Sequence, residues 1–195
     1  MHIKIITGIK EDSEWLIRMV ENLLSVTRID SGQVQIIKTP TILEELVDSV
    51  LLKFKKRYPT QTVTLELPDD VVMIPMDAIL VEQVIVNILE NAVQHARGMT
   101  LLKLHVFTLG NKAIFEIKDN GCGIPPKRLE TLFTGYDTSE NELADSQKKN
   151  AGIGLSVCAT IIKAHGGSIK AENVKTGGAV FRFALDTEEV SDEAE

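Results

Sequence analysis

The order of periodic segments predicts an α+β fold, a two-layer sandwich with a mixed, mainly antiparallel sheet. Three observations predict it. Two helical segments come first, and strands interleaved with helices follow. Two strand pairs are joined by short glycine turns, as hairpins are. Hydrophobic residues make up 44% of the 195 and charged residues 25%, enough to bury a core under one sheet.

From Ile9 to Ile29, Ile9, Leu16, Val20 and Leu23 recur on one side, with Trp15, Met19 and Val26 nearby. This wide apolar stripe predicts a helix that packs in a bundle and ends at Asp30-Ser31-Gly32. Gln33 to Lys38 alternates and predicts a short strand. Thr39-Pro40-Thr41 then predicts a helix start, with Thr41 as cap and Glu44 completing a capping box. That helix is expected to run to about Tyr58, before Pro59. Val63 to Leu67 and Val71 to Met76 read as strands around a Pro68-Asp69-Asp70 turn. Asp77 caps the next helix, which ends at Arg97-Gly98. Thr100 to Thr108 and Lys112 to Lys118 read as a hairpin turning at Gly110-Asn111. Lys127 to Phe133 is expected to be a short helix. Gly135 to Ala151 is polar and aperiodic, as an expected mobile lid is. A helix opened by Gly152 ends near His165-Gly166-Gly167. Two closing strands, Ser168 to Asn173 and Ala179 to Leu185, flank Thr176-Gly177-Gly178. The acidic tail after Thr187 is expected to be disordered.

Charge excludes some functions. With 28 acidic against 21 basic residues the net charge is −7. No basic stripe suggests nucleic acid, and phosphate would have to be bound locally, by backbone N–H groups or a metal. Cys122 and Cys158 have no ligand-like spacing and read as free thiols. No apolar run is long enough to span a bilayer, and the amino terminus shows no signal-peptide pattern.

Three stretches carry the chemistry. In VNILENAVQHA, residues 86–96, Asn87, Asn91 and Gln94 line one helix face. Asparagine is a poor helix-interior residue, so two of them one turn apart are either solvent-facing or functional. Asp119-Asn120-Gly121-Cys122-Gly123 follows a strand. It holds an acceptor-only carboxylate beside backbone that a flat ligand can approach, or it is a turn that merely needs glycine. Gly152-Ile153-Gly154-Leu155 fronts a helix whose unpaired N–H groups and dipole favour phosphate. It is neither a Walker loop nor G-x-G-x-x-G.

Together, in this order and spacing, the three stretches resemble the ATP-binding domain of sensor histidine kinases, over about Thr41 to Leu185. The resemblance implies the fold shared with gyrase, Hsp90 and MutL ATPases, the Bergerat type. The wording of IKEDSEWLIRMVENLLSVTRIDSG and NILENAVQHA is similar to the KdpD-type potassium sensors. The implied organisation is a second dimerisation helix over residues 1–32, an ATP-binding domain over 33–187 and an acidic tail over 188–195. The implied ligands are ATP and Mg²⁺, with Asn91 binding the metal and Asn87 near the phosphates. Gln94 stands where the family commonly has a phosphate-touching lysine. His95 takes the place of an aromatic over adenine. Asp119 would accept the adenine amine, with Gly121 and Gly123 shaping that wall and Ile124 and Leu155 lining the base pocket. Phe133 and Tyr136 match the start of a phenylalanine box that anchors the lid. Gly152 and Gly154 would form the phosphate-facing turn, and Gly177-Gly178 resembles a last, structural glycine element.

The sequence also departs from the family. The ATPase relatives carry a glutamate at the place of Asn87, so its absence fits transfer to a protein rather than hydrolysis. Asn150 and Asp137 replace a usual glycine and arginine, and Lys148, Lys149 or Arg128 are the cations that could help. None of His2, His95, His105 and His165 has the context of an acceptor histidine, so autophosphorylation of this chain is not expected. The resemblance implies an acceptor-histidine domain and a response regulator as partners and a homodimer in a longer protein. It implies a cytoplasmic location, with no nucleic acid and no membrane insertion of this stretch. A passive nucleotide-binding module, an anti-sigma-type serine kinase and an ATPase are the alternatives.

Overall fold

A computed structural model describes residues 36–134 and 151–187, together with Ser13 and Val20. The expected helix at 9–29 lies outside the described residues apart from Ser13 and Val20, both helical and exposed. Gln33 to Gln35, residues 135–150 with Tyr136, Asp137, Lys148, Lys149 and Asn150, and the tail from 188 lie outside them as well.

The described chain starts with a two-stranded antiparallel ribbon, β1 (Thr39–Ile42) with β3 (Met73–Met76). This corrects the expected helix start at Thr39-Pro40-Thr41. Pro40 faces Pro75 across the ribbon, an arrangement open to residues without an N–H where both strands are edges. The Thr41 hydroxyl donates to Thr39 O (3.0 Å) instead of capping. Helix α1 (Leu43–Arg57) begins behind Ile42 with no side-chain cap, and Leu43 N–H donates to Val72 O. Of the expected strand at Gln33 to Lys38, Gln33 to Gln35 lie outside the described residues, and residues 36–38 are not in a strand. Non-local pairing has overridden the local capping pattern.

Five strands form the main sheet: β2 (Thr64–Glu66), β4 (Leu102–Leu109), β5 (Lys112–Asp119), β6 (Ser168–Asn173) and β7 (Ala179–Asp186). Their order is β2-β4-β5-β7-β6, with β2 parallel to β4 and the other pairs antiparallel. This is the expected α+β sandwich. Period-two alternation turns Leu102, Leu104 and Val106, Ala113, Phe115 and Ile117, and Phe181, Phe183 and Leu185 toward the helices. Phe115 and Phe183 face each other in register and stack with centroids 4.5 Å apart. Along one row of the outer face, Glu66, His105, Glu116 and Arg182 pair strand to strand, and Arg182 binds Glu116. That face is polar.

The helix layer is α1, α2 (Ala78–His95) and α4 (Ala151–Ala164). Asp77 caps α2 as expected, accepting from Leu80 N–H at 3.2 Å. Helix α2 lies between the others and buries Val81, Val84, Ile85, Ile88, Leu89 and Ala92. On its α1 side Glu82 pairs with Lys53 and Ser49, and Glu90 with Arg57, so both buried carboxylates are compensated. Helix α3 (Pro126–Leu129) is shorter than the expected Lys127 to Phe133. Beyond it Leu132 is buried, and Phe133 sets its ring edge against Phe181.

His165, expected only as a turn residue, ties the layers at the end of α4. Its Nδ1–H donates to Ile161 O (2.8 Å) and its Nε2 accepts from Asp77 N–H (3.0 Å). The bond at Nε2 needs the neutral ring, with its proton on Nδ1. Burial, with Lys38 nearby, holds its pKa below the usual imidazole value against the opposing pull of the Ile161 carbonyl and Asp77. A depressed folded pKa contributes stability that is present above the unfolded value, about 6.5, and is lost as pH falls through the folded one. The urea midpoint is therefore expected to drop between pH 7.5 and pH 5, and to drop less in His165→Gln. Equal drops in the two proteins would contradict this role.

Candidate functional site

Helix α2 is the spine of the site. Its middle lies against the first turns of α4, and its carboxyl end abuts the loop after β5. Asn87 is half-buried, and a methyl group placed on Gly154 of α4 would lie 4.0 Å from its Cγ. The Asn87 side chain also hydrogen-bonds the buried Cys158. Asn91, one turn on, is half-buried as well. Eight residues separate Asn87 from His95, a span of ~12 Å along a helix. That is comparable with the reach of a nucleoside triphosphate from base to phosphates.

The Asp119 loop is held at the other end of this span. The Asp119 carboxylate is only 4% exposed, and its Oδ1 accepts the Gly121 N–H at 2.8 Å. No other carboxylate bond of Asp119 occurs among the described residues, so its second oxygen can meet an incoming donor. Gly121 lies directly against Ala96, the cap residue of α2: a Cβ on it would be 2.7 Å from the Ala96 Cβ. Cys122 Sγ reaches His95 O at 3.5 Å. Gly178 sits over the Asp119 carbonyl at φ +84°, so the expected glycine turn walls this loop directly.

Sequence reasoning missed the residues that brace the loop. Asn173, at the end of β6, accepts the Ile124 N–H and donates to Ile124 O, both at 2.7 Å. Asn120 accepts from Thr100 and Leu101 N–H and donates to the Thr100 hydroxyl. Asn120 was visible as part of its motif. No local pattern marks Asn173, whose role follows from β6 lying beside β7.

The remaining candidates fall at definite places. Ile124 and Phe133 are half-buried and pack on the core, whereas Leu155 is fully buried in it. Gly152 and Gly154 lie in the first described turn of α4. Gln94 is exposed, and its amide donates toward the Tyr58 hydroxyl at 3.5 Å. Tyr136 is outside the described residues.

His95 supplies the observation that tests whether a ligand fits. Its Nε2 is buried without a hydrogen-bond partner among the described residues. Burial, and then the Arg128 guanidinium, hold its pKa below the usual value, so the ring is neutral at pH 7. A lone buried ring nitrogen on the helix end that abuts the loop of a half-satisfied carboxylate suits a polar heterocycle or its sugar. The carboxamide oxygens on α2 are hard donors of the kind Mg²⁺ takes. The residues therefore fit a magnesium nucleotide. Among the described residues no cluster of His, Cys, Asp and Glu could hold a metal unaided, so a cation here would need the ligand's own oxygens.

Residues 76–189, which include every candidate above, match the family described as histidine kinase-, DNA gyrase B- and HSP90-like ATPase. The chain belongs to this family. Within it, the sensor protein KdpD of Clostridium acetobutylicum is 38% identical over 185 residues, 95% of this chain and 20% of that protein. The chain thus spans about a fifth of that relative's length. The histidine kinase AdeS of Acinetobacter baumannii superposes with a TM-score of 0.72 at 22% identity, over 94% of this chain and 84% of that one. The histidine kinase ThkA, solved in complex with the response regulator TrrA, gives 0.71 at 23% identity, over 95% and 51%. These kinases share the Bergerat sandwich. The described residues contain no helix long and apolar enough to cross a membrane.

Family membership makes Gly154 informative. Its φ is not positive and the space beside it is open, so Gly154→Ala fits the fold. The exchange is expected to hold or raise stability, by about 0.5–1 kcal/mol. If phosphate oxygens approach this turn, the methyl group is expected to weaken Mg-ATP binding by about tenfold or more. Calorimetry and thermal melts check both. Unchanged affinity would remove Gly154 from the phosphate site.

Proposed function

We propose that this chain is the catalytic ATP-binding part of a two-component sensor histidine kinase. It binds Mg-ATP and transfers the γ-phosphoryl group to a histidine on a dimerisation helix, from which a response regulator is phosphorylated. One observation supports the reading: α2 brings Asn87 beside Gly154 of α4, and the carboxyl end of the same helix abuts the loop of Asp119.

In this reading the Asp119 carboxylate accepts the adenine amine, and Gly121, Gly123 and Ile124 form the wall beside it. His95 Nε2 takes a polar atom of the nucleoside, and Leu155 backs the base. Asn91 would hold Mg²⁺, which would supply charge neutralisation at the phosphates. Asn87 and the N–H groups of Gly152 and Gly154 orient the phosphates, and Phe133 closes the described wall against Phe181. Transfer then rests on positioning and charge stabilisation. Asn87 is a carboxamide and no base for water, which favours transfer over hydrolysis. Gln94 supplies no charge, and its contact with Tyr58 favours weaker nucleotide binding than a lysine there would give. The acceptor-histidine domain, the response regulator, a homodimer of the longer protein and a place on the cytoplasmic side belong to the same reading.

The test mixes the chain with Mg-ATP and a separate helical hairpin bearing the acceptor histidine. Acid-labile phosphate is expected on the hairpin, and Asn91→Ala is expected to reduce it at least 100-fold, in line with losing a metal ligand and its charge stabilisation. Nucleotide binding with no transfer would replace this reading by a passive module. Steady phosphate release without an acceptor would replace it by an ATPase.

A further inference from the structure

The thiol of Cys158 lies at the seam between α2 and α4. It is fully buried, and its Sγ–H donates to Val84 O at 3.8 Å, one helical turn before Asn87. Asn87 hydrogen-bonds the same sulfur, and because a thiol already donating has only its lone pairs left, the carboxamide N–H is the donor. One turn before Cys158, a Cβ placed on Gly154 would lie 4.0 Å from the Asn87 Cγ, so the space there is open. The Asn87 amide is thus held by Cys158, while Gly154, four residues earlier on the helix that carries the glycine turn, leaves room beside it. Burial pushes the thiol up to about 12, so it stays protonated and its donor to Val84 is permanent.

We propose that Cys158 is a positioning residue for phosphoryl transfer: its sulfur fixes the orientation of the Asn87 carboxamide and locks it to the glycine turn of α4. This rests on the reading of Asn87 as a phosphate-side residue. A thiol in contact with α2 on one side and core on the other would otherwise be replaceable by any small apolar group. The two hydrogen bonds are what an apolar replacement cannot reproduce, and serine can.

The test is a double-mutant cycle on the whole 195-residue chain, read as ATP affinity with and without Mg²⁺, with thermal melts alongside. Cys158→Ala is expected to weaken Mg-ATP binding about 5–10-fold, the scale of one lost neutral hydrogen bond. Cys158→Ser is expected to restore it to within about twofold, whatever its melting temperature. In an Asn87→Ala background, Cys158→Ala is expected to add less than about twofold. An equal effect of Cys158→Ala in both backgrounds, or no effect in either, overturns the positioning role while leaving the site intact. Asn87→Ala with unchanged Mg-ATP affinity removes Asn87 from the site, and the inference fails with that reading.

Discussion

Asp119→Asn is expected to abolish adenine-nucleotide binding while leaving the fold in place. The carboxylate uses one oxygen to accept the Gly121 N–H at 2.8 Å. An asparagine keeps that acceptor and so keeps the turn. Its other end, however, becomes an NH₂ group facing the exocyclic amine of adenine, donor against donor. Losing a charge-assisted hydrogen bond costs about 1.5–3 kcal/mol, and the opposed donors add to it. A loss of roughly 100-fold or more in Kd follows. Titration calorimetry with Mg-ADP and Mg-ATP measures this, and a melting temperature close to that of the unaltered chain shows that the fold survives. Wild-type affinity in Asp119→Asn would place adenine elsewhere.

The second large effect is on stability. Gly178→Ala is expected to destabilise the domain severely and to lose binding as a consequence. The residue sits at φ +84°, where an L side chain is strained by about 1–2 kcal/mol. Its methyl would collide with the Asp119 carbonyl and lie 2.7 Å from the Asn120 Cα. These neighbours are backbone and cannot rotate away, so overpacking adds roughly 1–3 kcal/mol. The sum is a large share of the ~5–15 kcal/mol that holds a typical domain together. A fall in melting temperature of roughly 10 °C is expected for a chain of this size. A stable Gly178→Ala protein would mean that the wall of the Asp119 loop is not as close as described. The contrast with Gly154→Ala, sterically open and expected to be stable but weak-binding, separates a glycine kept for the fold from one kept for the ligand.

The resemblance already set Gly152 and Gly154 at a phosphate-facing turn and Gly177-Gly178 as a structural element, but the steric closure behind that difference was not legible in the sequence. Which of them is closed by backbone depends on what the sheet order brings alongside. Helix α2 was readable from the Asp77 cap to its end near Arg97-Gly98, because capping and a 3.6-residue period are local. Strand β6 and the two hairpins were readable for the same reason. Strand β1 was not: Thr39-Pro40-Thr41 carries a good local helix start, but pairing with Met73–Met76, more than thirty residues away, decides its conformation. In the site, Asp119 and the α2 amides announced themselves through unusual residue types in unusual places. Asn173 and Cys158 did not, since an asparagine at a strand end and a cysteine in an apolar helix become informative only beside Ile124 and Asn87.

The central claim is that the amides of α2, the Asp119 loop and the first turn of α4 form one adenine-nucleotide cleft. An amide-resolved NMR titration of the chain with Mg-ADP tests it most directly. Saturable, magnesium-dependent shifts are predicted together at Asn87–His95, Asp119–Ile124 and Gly152–Leu155, with a common dissociation constant. Shifts confined to one of these stretches, or no response to Mg-ADP at all, would contradict it.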